Sequence, residues 1–463
     1  MGADAVPAPR HAPASERRLS TPAKVGFALG DHTVNIALSA LSLVFFTFLV
    51  TVAGLQPWLA GVIAWLARMV DAITDPLMGR ISDSMRWRFG RRRPFFLIGI
   101  LPFGLSFALI WTTPFDGQVA MFLWYLIVYV ALSLSMTVLS VPYMALIPEM
   151  AGDYDERTSI NTFRSAGAVM GTMVASIFFA SVGWLGGGSQ GFALTGLILA
   201  AWIVLPWPMV WKVSFEPPGH RIDQPTRLLT EVRQILRHGT YVRLIGFYMA
   251  SRIAVDLLGL AVPLLITIWI GREADVTWTL LSMLGVVILS LPFWLRYARR
   301  AEKHEIFVIG ATWFVICLAG IFLADPAWPR HVLFVIAGLL GIGYAVVDLM
   351  PWAMLGEVID EDEVLSGERR EGIYSGVFTF VRKVGGATAY MLAGFGLTLA
   401  GYDSSAAEQS DAALMTIRVV STWVPAAFLI AGILIARGYP LSRERHAEIR
   451  SILESRSMPP QTG

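Results

Sequence analysis

The chain has 463 residues, of which 55% are hydrophobic and 15% charged, with a mean hydropathy of +0.61. Soluble domains carry about 25% charged residues, so the composition argues against a soluble enzyme and for a polytopic protein whose constant partner is the lipid bilayer. A net charge of +2 gives no basis for nucleic-acid binding, and the single Cys317 allows no disulfide within the chain.

Residues 1–23 are rich in Ala, Pro and Arg and hold no apolar core of signal-peptide length. They read as a cytosolic tail. A helical bilayer crossing needs about 20 largely apolar residues. Twelve runs qualify: 24–50, 57–82, 94–113, 119–148, 161–184, 191–212, 241–270, 276–298, 305–324, 332–356, 372–400 and 414–437. None alternates with period two, which argues against a barrel. With the N-terminus cytosolic, 28 of the 36 Lys and Arg residues fall on the cytosolic side, and the external loops hold only Arg272 and Arg330. That asymmetry follows the positive-inside rule and supports the span count. Both termini are then cytosolic in a multi-pass plasma-membrane protein, which means the inner membrane in a bacterium.

The polar segment 213–240 divides the spans six and six, giving bundles at 24–212 and 241–437 and a C-terminal tail at 438–463. The fourth span runs into Pro142-Tyr-Met-Ala-Leu-Ile-Pro-Glu149, then Asp153-Tyr-Asp-Glu-Arg157. The tenth runs into Pro351-Trp-Ala-Met-Leu-Gly-Glu357, then Asp360-Glu-Asp-Glu363 and Arg369-Arg370. Such a repeat marks an all-α membrane protein of two parallel six-helix halves, the duplicated architecture of the major facilitator superfamily.

The second span carries Arg68, Asp71 and Asp75 at spacings of three and four, which sets all three on one helical face. An ionisable group in mid-membrane costs about 2.5–3.5 kcal/mol on insertion scales, so this face turns to a cavity or the bundle. Two carboxylates suit a hard cation, Na⁺ or a proton. The alternative is a buried ion pair in which Arg68 neutralises one Asp. Beyond this span lie Asp83 and Gly90-Arg91-Arg92-Arg93-Pro94. Asp83, Arg91 and Arg92 suit a gate that holds one conformation of a rocking bundle, or simple positive-inside anchoring.

Further polar residues lie within spans and are candidates to line a substrate cavity. Asp31, His32 and Asn35 are on the first, Arg164 is on the fifth, and Tyr374, Arg382 and Lys383 are on the eleventh. His32 is a candidate proton carrier or a helix-end histidine. Lys383 lies eleven residues beyond Gly372, about 16 Å at helical rise and therefore near mid-membrane. Arg252 and Asp256, four apart on the seventh span, predict an internal ion pair. Trp352 follows Pro351, where a helix break is predicted, and offers an aromatic face to a sugar ring. Gly187-Gly-Ser-Gln-Gly191 fits a nucleophile-elbow pattern but lacks its strand–turn–helix context. No set of residues suggests an enzyme.

Arg68-Met-Val-Asp71-Ala-Ile-Thr-Asp75-Pro-Leu-Met-Gly79, with Gly90-Arg-Arg-Arg-Pro94, resembles the glycoside–pentoside–hexuronide:cation symporter family, which is melibiose permease-like. Pro142-Tyr143, Arg157, Arg164, Pro351-Trp352, Glu371-Gly372 and Lys383 extend the resemblance over 24–437. It implies that Asp71 and Asp75 bind the coupling cation, with Thr137 near them and Lys383 near both cation and sugar. It implies substrate contacts at the positions of His32, Ser140 and Tyr143. Here Asp31-His32 stands where the family has Lys-Asp, Ser140 replaces an acid and Met144 replaces a tryptophan. The implied activity is Na⁺- or H⁺-coupled symport of a sugar or glycoside by alternating access, in a chain that works as a monomer with no cofactor beyond the coupling ion. A lysophospholipid or other amphipathic solute is the alternative cargo, and a non-transporting receptor a more remote one.

Overall fold

The computed structural model describes residues 19–457 apart from 86, 152–153, 217–227, 299, 369, 405 and 407. Most of the N-terminal tail, the middle of the linker, Asp153 and Arg369 lie outside the described residues. Twelve long helical units follow in order. The first bundle holds α1 (Thr21–Ala40, ending in π-helical turns at Leu41–Phe45 and Phe48–Val52), α2 (Pro57–Ser84), α3 (Pro94–Leu109), α4 (Gln118–Met150), α5 (Tyr154–Ser176, then Phe178–Trp184) and α6 (Gly188–Val204, then Trp207–Val213). The second holds α7 (Gly239–Leu264, then a π turn Leu265–Trp269), α8 (Asp275–Tyr297), α9 (Lys303–Phe322), α10 (Arg330–Ser366), α11 (Glu371–Leu399) and α12 (Asp411–Ser421, then Trp423–Arg437). Ten are long and apolar enough to cross a membrane; α3 is shorter, and α11 carries Arg382 and Lys383 at its middle.

Local chemistry sets several boundaries. Prolines at the first position open α2 and α3, where the missing N–H costs nothing. Gly367, at φ +77°, closes α10 in the left-handed conformation that favours glycine. The break expected at Pro351 is absent: α10 runs unbroken through this buried proline. Packed neighbours hold a membrane helix through such a lost hydrogen bond. Two further helices lie in segments read from sequence as linker and tail, Leu228–Ile235 and Arg443–Ser457.

The two bundles repeat one packing scheme. α1 packs on α5, α2 on α4, α3 on α4 and α6; six helices later α7 packs on α11, α8 on α10, α9 on α10 and α12. A shared clamp marks the repeat. Arg92 donates to the carbonyl of Ala145 (2.6 Å) and pairs with Glu149 (2.6 Å), one turn on along α4. Lys303 donates to the carbonyl of Ala353 (3.1 Å) and pairs with Glu357 (2.6 Å), one turn on along α10. Glu216 accepts from the backbone N–H groups of Arg91, Arg92 and Arg93 at 2.9–3.0 Å. Its carboxylate thereby satisfies the positive end of α3.

The bundles meet mainly where α2 crosses α11. A Cβ on Gly61 would lie 2.7 Å from the Tyr390 carbonyl oxygen, and Gly394 sits on the backbone of Pro57. Small residues let two membrane helices approach backbone to backbone. Trp58 N–H donates to Thr398 Oγ1 (3.1 Å), Ala180 N–H to Thr277 Oγ1 (3.1 Å), and the Tyr390 hydroxyl to the Leu41 carbonyl (2.6 Å). These contacts close the face opposite the chain termini. Arg382 is exposed in mid-span and the Asp348 side chain is 41% exposed. Charges at that depth are placed to face water rather than lipid.

Candidate functional site

Asp71 and Asp75 face α4 and α11. Thr137 Oγ1 donates toward both carboxylates, at 3.1 Å to Asp71 Oδ1 and 2.8 Å to Asp75 Oδ1, and Ser133 Oγ donates to Asp71 Oδ1 at 2.9 Å. Ser133 and Thr137 lie one turn apart on α4, which places both hydroxyls on one side of the site. The third wall comes from the other bundle: Lys383 Nζ lies 2.9 Å from Asp71 Oδ2 and 2.5 Å from Asp75 Oδ2. The carboxylates thus find their counter-charge on α11 in Lys383, where the sequence suggested Arg68. Arg68 itself is half-buried, with its Nε enclosed, and lies within electrostatic reach of Tyr129 of α4, Tyr390 of α11, Asp71 and Asp256 on α7. Four oxygen-bearing side chains surround one ammonium. Such a donor set fits Na⁺ or a proton.

A second cluster lies inside the first bundle. Arg164 grips Asp31 with two nitrogens, Nε to Oδ2 at 2.5 Å and Nη2 to Oδ1 at 3.1 Å. Tyr143, with 1% of its surface exposed, donates its hydroxyl to the same Oδ2 at 2.7 Å. Asn161 Oδ1 accepts from Arg164 Nη1 at 2.7 Å, and Met144 Sδ accepts from Nη2. Asp31 is therefore fully engaged. His32 turns away from it: its Nε2 accepts from Trp202 Nε1 on α6 at 3.1 Å. It lies one residue, and so about 100° of helical rotation, from Asp31. Asn35 donates to the Asp31 carbonyl (2.8 Å), and Ser140 is half-buried on α4.

In the second bundle Arg252 pairs with Asp256, as the spacing predicts, but also with Asp348 of α10 at 2.9 Å. Trp352, one turn beyond Asp348, is 38% exposed; its ring lies edge-on to Phe378 (4.8 Å) and Tyr248 (6.1 Å). Tyr374 lies apart from these groups. It is fully buried near the terminal end of α11, with its carbonyl accepting from the Tyr241 hydroxyl at 2.7 Å. Asp83 and Arg92 pair within the first bundle, as do Arg91 and Glu149, so the described part of this cluster ties α2, α3 and α4 together.

Ser133, Asn161 and Asp348 join these clusters without having been singled out from sequence. For Asp348 a signal existed: it interrupts the apolar run Ala345-Val-Val-Asp-Leu-Met350 just as Asp71 interrupts its own. The hydroxyl and amide carry no such signal, since neither bears a charge.

A family model described as MFS/sugar transport protein matches residues 26–443, and the chain belongs to that family. It is a multi-pass membrane transporter and not an enzyme. Among curated relatives, an uncharacterized symporter of Synechocystis is 27% identical, covering 96% of this chain and 98% of its own length. The inner membrane symporter YicJ of Escherichia coli is 28% identical (92% and 93%), and the sodium-dependent lysophosphatidylcholine symporter 1 of Gallus gallus 25% (95% and 90%). Among solved structures, a D-xylose–proton symporter superposes with a TM-score of 0.67 at 13% identity over 90% of this chain and 97% of that one. A bacterial Spinster homologue, in an inward-facing and unoccupied conformation, gives 0.64 at 15% over 95% and 100%. These two likenesses show the fold.

Proposed function

We propose that this member of the MFS/sugar transport protein family is a cation-coupled symporter in which Na⁺ or H⁺ binds between Asp71 and Asp75. One observation carries the reading. The two carboxylates of α2 hold the ammonium of Lys383 from the opposite bundle. A site that already binds one cation across the bundle boundary can exchange it for another. An arriving ion takes the carboxylates, Lys383 is released, and the α2–α11 contact that favours the present state is weakened. Cation binding is thereby linked to the rocking of the bundles, and by reciprocity substrate binding is linked to the cation. The terminal face is assigned to the cytosol, in keeping with the basic residues that crowd it.

The first reading of the cargo is a sugar or glycoside, in line with the family description. A lysophospholipid or other amphipathic solute is the second. It is favoured by the engagement of Asp31 with Arg164 and Tyr143, which occupies a carboxylate that could otherwise bind sugar hydroxyls. The sodium-dependent lysophosphatidylcholine symporters among the relatives support it as well.

The test is reconstitution into vesicles under an imposed Na⁺ or proton gradient. Gradient-driven accumulation of solute that is lost in Asp71→Asn supports the proposal. Accumulation that ignores both gradients, or that survives in Asp71→Asn, refutes it.

A further inference from the structure

At the terminal face α10 runs well past its predicted membrane span and carries the acid run Asp360-Glu-Asp-Glu363 there. Consecutive residues on a helix point about 100° apart, and the first three acids reach three different segments. Asp360, buried, meets His446 Nε2 at 3.2 Å and Arg450 Nη1 at 3.8 Å, both from the tail helix Arg443–Ser457. Glu361 meets Nε2 of His238, the residue that opens α7, at 3.3 Å. Asp362 accepts from two nitrogens of Arg370, the residue that opens α11, at 2.8 and 3.0 Å. Arg370 in turn donates to Gln234 of the linker helix at 2.8 Å. One helix end thus fastens the tail, the head of α7 and the start of α11.

The tail helix docks through one stripe. Ser442, His446 and Leu453 are half-buried and Ile449 is buried, at spacings of four, three and four that share a helical face. Arg443, Arg445, Glu448 and Arg450 face water. His446 therefore sits inside the contact. The backbone N–H of Arg443 is held by Glu302, which opens α9, at 3.0 Å. The charges around the two histidines come from four elements. On the tail helix Arg445 pairs with Glu448 at 2.9 Å and lies within electrostatic reach of Glu361. On α11 the Tyr374 hydroxyl lies 3.5 Å from His238 Nδ1. On α9 Lys303 is taken up by Glu357 of α10 at 2.6 Å.

The duplication supplies a comparison. In the first bundle Glu156 belongs to the counterpart acid run and fastens the N-terminal segment, accepting from Lys24 Nζ and the Leu19 N–H at 2.8 Å each. Lysine keeps its charge to about pH 10, whereas histidine changes charge near pH 6.5. The two ends of the chain are therefore held by bases of different pH response. We propose that Asp360–His446 and Glu361–His238 form a pH-sensitive clasp on the terminal face, which acid tightens and alkali loosens. A charged imidazole grips a carboxylate more strongly than a neutral one, so docking is strongest below the histidine range and weakens as pH rises through it. The clasp ties the heads of α7 and α11 and the tail helix to α10. It stiffens the second bundle as a unit, and the two halves rock as bodies. The proton here is a regulator of the bundle, separate from the ion bound at Asp71 and Asp75.

The test is amide hydrogen exchange on the full chain in nanodiscs at about pH 5.5 and about pH 8, on either side of the histidine range. Exchange is expressed as protection factors, which remove the intrinsic pH dependence and report local opening. Protection of the tail helix should fall about fivefold from acid to alkali, the difference between a charge-assisted and a neutral hydrogen bond. The segment around Lys24 should stay level. In His446→Gln the tail helix should show the alkaline value at both pH values, and in His446→Lys, which keeps a charge throughout, the acid value at both. His238→Gln should remove the response at the head of α7 and leave that of the tail helix. Protection of the parent tail helix that ignores pH, a response that persists in His446→Gln, or a tail helix that still loosens in alkali in His446→Lys overturns the proposal. None of these readouts depends on cargo or coupling ion, so they stand whatever the vesicle assay of Asp71→Asn returns.

Discussion

Lys383 of α11 sets its ammonium 2.5 Å from Oδ2 of Asp75 on α2, a contact that spans 308 residues of sequence and the boundary between two bundles. The same nitrogen reaches Asp71 at 2.9 Å. One side chain from the second half of the chain thus bridges the acidic pair of the first and offsets one of its two charges.

If the ammonium competes with the coupling ion, Lys383→Gln should bind Na⁺ more tightly than the parent, by about tenfold, because the ion no longer displaces a bound charge worth roughly 1.4 kcal/mol. The unliganded variant should melt at a lower temperature, since two carboxylates lose their partner. Thermal unfolding of the purified protein across a Na⁺ titration checks both. Unchanged Na⁺ stabilisation in the variant would remove the competition model.

Asp75→Asn and Asp71→Asn each leave one carboxylate for a site built on two. Gradient-driven uptake in vesicles should fall at least about tenfold in each, the effect of losing one charged ligand. Solute exchange without a gradient should persist, because exchange needs no net cation transfer. Wild-type accumulation by either variant contradicts the site.

The Asp31–Arg164 pair is buried and bidentate. Asp31→Asn strands the guanidinium and should cost about 3–5 kcal/mol, whereas the double variant Asp31→Asn with Arg164→Gln should recover a good part of that loss. A double-mutant cycle on unfolding measures the difference. Additive effects would show that the pair contributes no coupling.

The two clamps offer an internal comparison. The Arg92 and Glu149 side chains keep 6% and 9% of their surface, against 29% and 17% for Lys303 and Glu357. The double variant Arg91→Ala with Arg92→Ala, which strips buried Glu149 of both guanidiniums, should therefore destabilise by about 3 kcal/mol or more, as an unpaired buried acid does. Lys303→Ala should cost about 1 kcal/mol or less, as solvent-screened pairs do. Equal losses on thermal unfolding would contradict the burial argument.

At Gly61 a side chain would collide with the Tyr390 carbonyl. Gly61→Val should push α2 from α11 and bias the protein away from closure at the face opposite the termini. Spin labels on the ends of α2 and α11 at that face would report a longer separation. An unchanged distance distribution would mean that the crossing is not what sets this closure.

Much of this was legible beforehand. Apolar runs, basic asymmetry and the repeat of Pro142–Glu149 in Pro351–Glu357 identify twelve spans in two halves, because lipid solvent punishes exposed polar groups wherever they fall. Asp71 and Asp75 stood out for the same reason. Pro351 misled, since a proline predicts a break only where neighbours do not hold the helix. His32, one residue from Asp31, lies on a different face of α1, where its Nε2 meets Trp202. Asp348 was visible to the rule that found Asp71 but drew no attention without its Arg252 partner.

The sequence by itself determined the class of solvent, the number of crossings, the duplication and the acids that lipid would not tolerate without a purpose. These are properties of single helices, set by period, length and charge. Which base answers those acids, which acid is consumed by an arginine and which keeps an exposed face were decided only by the packing of α2 on α11 and of α7 on α10. Pairing energies depend on separations of a few ångströms between residues hundreds of positions apart, and no local pattern encodes such a distance.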